Sequence, residues 1–152
     1  RPHILLCSIC QYGSGVRPPY KEDNLPELLD LVLHQNPDLL IILDPSLVYV
    51  VDMVSDLREG GSIIINSPKE LGFMQPTTYV DATSIAIKHI GQPIVNASIL
   101  GAFSAATGLV SVDSILEAFA STFSKRLKGE RLERNLRAIR ETHEEVMKHA
   151  VH

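Results

Sequence analysis

The sequence predicts an α/β domain in three layers, with a mostly parallel sheet that carries helices on both faces, Rossmann-like in outline. Two observations carry this. Short, nearly continuous apolar runs at residues 4–10, 39–43 and 63–65 suit parallel strands covered on both sides. Segments whose apolar residues recur at helical spacing lie between and after them, as in a βαβ unit. With 152 residues, 45% of them hydrophobic, the chain is long enough for one domain with a real core and too short for two comfortable ones.

The first run, residues 4–10, reads as a strand. Residues 24–36 read as a helix, with Leu25, Leu28, Leu29, Val32 and Leu33 on one side and Pro26 in its first turn, where proline is tolerated. The strand at 39–43 is followed by Asp44-Pro45-Ser46, a helix start, and by the stripe Leu47, Val50, Val51, Val54 and Leu57. Gly60 and Gly61 are placed to end that helix, since glycine accepts the left-handed backbone of a C-terminal cap. After the strand at 63–65, a fourth is expected at 78–81, then a short helix at 84–90. A helix over 96–107 follows, with Asn96 favoured as its cap. Ser111 caps an amphipathic helix along Val112, Ile115, Leu116, Phe119, Ala120 and Phe123. The last segment alternates steps of four and three through Leu132, Leu136, Ile139, His143, Val146 and Ala150, a narrow apolar seam. We divide the chain into an α/β domain at 1–124 and a C-terminal amphipathic helix at 125–152, packed on that domain or on a partner.

Composition narrows the function. A net charge of −4, no Trp and 5% aromatic residues leave few groups for tracking phosphates or stacking bases, so nucleic acid is not the expected partner. No apolar run reaches the ~20 residues that span a bilayer, and the start lacks a signal-peptide cleavage pattern; a cytoplasmic protein with no membrane partner is the expectation.

Groups suited to catalysis are sparse. Cys7 and Cys10 form a C-x-x-C, but in a β-favouring run an odd spacing puts them on opposite faces, and no second ligand pair completes a zinc site. Buried free thiols are the simpler reading. Gly13-Ser14-Gly15 resembles the start of a phosphate loop, yet Pro18-Pro19 follows where a helix should begin; it is either a plain turn or an anion site with Arg17. The six histidines show no metal-ligand spacing, and no G-x-S-x-G occurs. Asp44 and Asp81 stand at predicted strand ends, as a helix cap and a hydrogen-bonded turn. No catalytic residue and no metal ligand is assigned.

The most informative stretch is residues 96–107, where Ala97, Gly101 and Ala105 stand four apart with Ala102 and Ala106 beside them. Two helical backbones can meet closely over such a face. Glycine costs about 1 kcal/mol against alanine inside a helix, which gives Gly101 a packing reason. We read this face as a joint between subunits formed by Asn96, Ala97, Gly101, Ala102 and Ala105. On that reading Gly101→Leu disrupts assembly and leaves the domain folded.

The residues Asp81, Ala82, Thr83, Ile85 and Ala86, then Gly91, Pro93, Ile94, Asn96, Ala97, Leu100, Gly101 and Ala102, resemble the gamma subunit of 2-oxoacid:ferredoxin oxidoreductases. Pro37, Asp38 and the LLIILDPSL run, Gly60, Gly61 and Asn66 extend the similarity upstream, as does the turn from Gln11-Tyr12-Gly13 to Arg17. The resemblance implies a gamma-type assembly subunit, non-catalytic by itself, in a complex that oxidatively decarboxylates a 2-oxoacid such as pyruvate with coenzyme A and ferredoxin. It implies alpha, beta and possibly delta partners, with thiamine diphosphate, magnesium, [4Fe–4S] clusters and coenzyme A held in the complex and none by this chain alone. Carried over by position, Tyr12, Gly13, Arg17 and Asn66 are the candidate cofactor-binding residues. The family's opening G-x-G-G-Q-G loop has no counterpart here, so the fold is expected to lack the first glycine-loop unit. A stand-alone binding module for a nucleotide or other phosphorylated ligand, and a structural dimerisation domain, are the alternatives.

Overall fold

The computed structural model describes residues 38–149, apart from Val51, Met53 and Asp56. The expected strand at 4–10, the helix at 24–36, Cys7, Cys10 and the loop residues Tyr12, Gly13 and Arg17 lie outside the described residues.

Three strands form a parallel sheet in the order β1 (Leu39–Ile42), β2 (Ser62–Asn66), β3 (Thr77–Val80). Register pairs Ile41 with Ile64 and Ile64 with Thr78, so one row of side chains faces one side. Ile42, Ile65 and Tyr79 form the row facing the other. The middle strand has neighbours on both edges and cover on both faces. Its Ile63, Ile64 and Ile65 are at most 1% exposed, each contributing about 1.5–3 kcal/mol by burial. This is the continuous apolar run that a doubly covered parallel strand requires.

Four α-helices pack against this sheet and one another: α1 (Ala82–Ile90), α2 (Ile99–Thr107), α3 (Val112–Phe123) and α4 (Glu130–His149). Ile64 and Val80 on the sheet meet Ile85, Ile99, Ala102, Ala138 and Val146 from α1, α2 and α4. A second cluster, Leu116, Phe119, Ile139 and Ala97, joins α3 to α4 and to the turn before α2. The Ser111 hydroxyl accepts the Ser114 N–H at 3.2 Å and caps α3 as the sequence predicts. In α4 the buried face is wider than a narrow seam: Ala138 and Thr142 are fully buried beside Ile139 and Val146, because the helix rests on α1, α2 and α3 together.

Three details differ from the expectation. The stretch after Asp44 is a 3₁₀ helix, Pro45–Tyr49, in place of a helix reaching Leu57. Asp44 does cap it, accepting the Ser46 N–H at 2.9 Å. The run Val48, Val50 and Val51 is β-branched and loses side-chain freedom in a helix, and Val50 is left 79% exposed. Gly60 therefore makes a left-handed turn into β2 instead of ending an α-helix. Second, the helix expected to run to Leu57 does not form over the sheet face bearing Ile42, Ile63 and Ile65; among the described residues that face is covered by Val48 of the 3₁₀ helix and by Val54, Leu57, Leu71 and Phe73 from irregular chain. Third, α2 begins at Ile99 after Ser98, so Asn96 is an exposed residue in the preceding turn and not its cap. The turn at 95–98 closes with its own bonds, Ile99 N–H donating to Val95 O and Ser98 Oγ to the same carbonyl.

Candidate functional site

In parallel sheets, functional groups gather where the strands end at their carboxyl termini. Here that edge is made by Asp44 after β1, Asn66 and Ser67 at the end of β2, and Asp81 to Thr83 after β3. Asn66 is 6% exposed, held there because it closes a central strand. Its Nδ2 donates to Leu43 O at 2.8 Å and to Thr83 Oγ1 at 2.9 Å, while its Oδ1 accepts the Thr83 N–H at 3.1 Å. One amide thus ties the ends of all three strands together. Both N–H groups are committed inside the chain, so any contact of Asn66 with a cofactor displaces one of these bonds.

The carboxylates at this edge are committed as well. Asp81 is the N-cap of α1, where the sequence predicts only a hydrogen-bonded turn, and accepts the Ser84 N–H at 2.9 Å and the Ser84 hydroxyl at 2.6 Å. Asp44 takes the Ser46 N–H and hydroxyl. Ser67 Oγ donates to Lys69 O at 2.7 Å and accepts the Lys69 N–H. Among the described residues no three His, Cys, Asp or Glu side chains come together to hold a metal ion, and no buried side-chain polar atom is without a partner. Such an edge is built to hold strands and helices in place. Its residues do not fit a magnesium–diphosphate or iron–sulfur site.

The second candidate region is the small-residue face. Gly101 is buried, and a Cβ on it would collide with the Ile139 carbonyl oxygen and stand 2.8 Å from the His143 backbone nitrogen. Ala97 packs with Leu116, Phe119 and Ile139. Ala102 is fully buried against the sheet-side core. The close joint expected of these residues exists, and its other half is this chain's own α4. Consequently the expectation that Gly101→Leu spares the fold is overturned, since the added bulk falls between α2 and α4. Of the five residues assigned to a subunit joint, only Asn96 is exposed and Ala105 half-buried.

A third cluster was not singled out from sequence. Glu141 on α4 accepts two bonds from Lys88 Nζ, at 2.8 and 2.9 Å, and lies 2.6 Å from His89 Nε2. An ionised carboxylate has no proton to give, so the imidazole N–H donates. The Lys88 ammonium holds the Glu141 carboxyl below its ordinary range, with His89 adding to the effect and partial burial opposing it. Lys88 also places positive charge at the C-terminus of α1, where it complements the helix dipole. No local signal reveals the cluster, because its partners are more than fifty residues apart.

The fold and its edge define a parallel α/β domain whose described residues bear structural contacts at the positions where enzymes of this architecture place catalytic groups. The family it belongs to follows from comparison with known proteins. Residues 27–145 match the family model for pyruvate ferredoxin/flavodoxin oxidoreductase, and the chain belongs to that family. It is 40% identical over 142 residues to the pyruvate/ketoisovalerate oxidoreductases common subunit gamma of Pyrococcus furiosus, covering 88% of this chain and 74% of that protein. It is also 40% identical over 115 residues to the pyruvate synthase subunit PorC of Methanothermobacter thermautotrophicus, covering 74% and 61%. The crystal structure of pyruvate oxidoreductase subunit PORC from Thermotoga maritima superposes with a TM-score of 0.61 at 30% identity, covering 72% of this chain and 63% of that one. The chain thus spans roughly three-fifths to three-quarters of the length of these relatives.

Proposed function

We propose that this chain is a gamma-type subunit of a 2-oxoacid:ferredoxin oxidoreductase, acting in the oxidative decarboxylation of pyruvate or a related 2-oxoacid through the assembly it joins. The observation that carries the reading is the gamma-subunit relatedness over most of the chain. The internal hydrogen bonds of Asn66, Ser67 and Asp81 at the sheet's carboxyl edge agree with it. Alpha and beta subunits, and a delta subunit where present, are the partners. They hold the thiamine diphosphate, magnesium and [4Fe–4S] clusters and bring coenzyme A and ferredoxin to the reaction. No helix among the described residues is long and apolar enough to cross a membrane, and a cytoplasmic complex is the setting. The expected three-layer form, with helices on both sheet faces, belongs to the same proposal, as do cofactor contacts through Tyr12, Gly13 and Arg17.

Co-expression with candidate alpha and beta subunits tests the reading. The expected result is co-purification of the chains with iron and thiamine diphosphate. Electron-acceptor reduction then requires both a 2-oxoacid and coenzyme A, and the isolated chain shows no turnover. A stable monomer that ignores the other subunits and binds a nucleotide by itself would overturn it.

A further inference from the structure

We draw no further inference here: the strongest candidate, the exposed basic turn of Lys125, Arg126, Lys128 and Arg131 where α3 gives way to α4, is a group of cations at a helix N-terminus with no bound ion or buried unpaired group in the structure to show what faces it.

Discussion

α4 meets two of its three helical neighbours, α2 and α1, by different means. Against α2 the contact is one of shape: Gly101 brings two backbones together, and Ile139 and Thr142 are fully buried nearby. Against α1, beside the buried cluster that Ile85 shares with Ala138 and Val146, there is a tie of charge, with Lys88 and His89 on Glu141 at the half-exposed margin. The two differ in what can alter them. A close-packed backbone contact has no room for an added carbon, and salt or mild acid does little to it. A partly solvated ion pair contributes only ~0.2–1 kcal/mol and yields to both. α4 is therefore located by the first contact and trimmed by the second.

The largest effect is expected at Gly101. Helix propensity alone says that Gly101→Ala stabilises by about 1 kcal/mol. The structure says the opposite, because the new Cβ meets the Ile139 carbonyl, and overpacking of this kind costs about 1–3 kcal/mol. Gly101→Leu should exceed that and remove cooperative unfolding in urea. A Gly101→Ala protein more stable than the parent would dissolve the distinction between the two joints.

Next in size is Asn66→Ala. It leaves the Leu43 carbonyl and Thr83 N–H without their partner at the sheet's edge, and an unsatisfied buried group costs ~1–3 kcal/mol. Asn66→Asp loses both donors and sets a buried carboxylate oxygen against the Leu43 carbonyl, so at neutral pH it should be no more stable than the alanine variant. Denaturant midpoints measure all three. Equal midpoints for parent and Asn66→Ala would show that strand ends are held without this clasp, leaving shape as the sole strong constraint.

How far these contacts were legible depends on how local their causes are. The Ile63–Ile65 run announced a buried strand because burial on both faces leaves no alternation to interpret. Ser111 announced α3 because a cap and an apolar period are both short-range. The spacing of Ala97, Gly101 and Ala105 announced a tight joint, but a small face states only that a backbone comes near. Whether that backbone belongs to α4 or to another subunit is a question of tertiary arrangement. The stripe Leu47, Val50, Val51, Val54 and Leu57 matches helical spacing, yet its β-branched residues support only the 3₁₀ turn, and Val54 and Leu57 cover the sheet from irregular chain. Asn66 was visible as a polar residue closing a strand. Its role was not, because its partners Leu43 and Thr83 lie seventeen or more residues away.

The smallest effect tests the charged joint directly. Glu141 has its folded-state pKa lowered chiefly by Lys88 from an ordinary 4.5. The folded protein therefore releases this proton more readily than the unfolded chain does. Its stabilising contribution is full above 4.5 and is lost as pH falls through the lower folded value. Glu130 and Glu145 are shifted the same way, by Arg137 and Lys148 respectively, so the parent's acid sensitivity alone does not isolate Glu141. The difference between the parent and Glu141→Gln does, because the other carboxylates cancel. That difference should be at most about 1 kcal/mol at neutral pH, shrink in high salt, and close below pH 4.5 as the parent's own carboxyl takes up its proton. A gap that persists unchanged through acid and salt would mean that Glu141 holds α4 by packing, as Gly101 does, and that the two joints are of one kind.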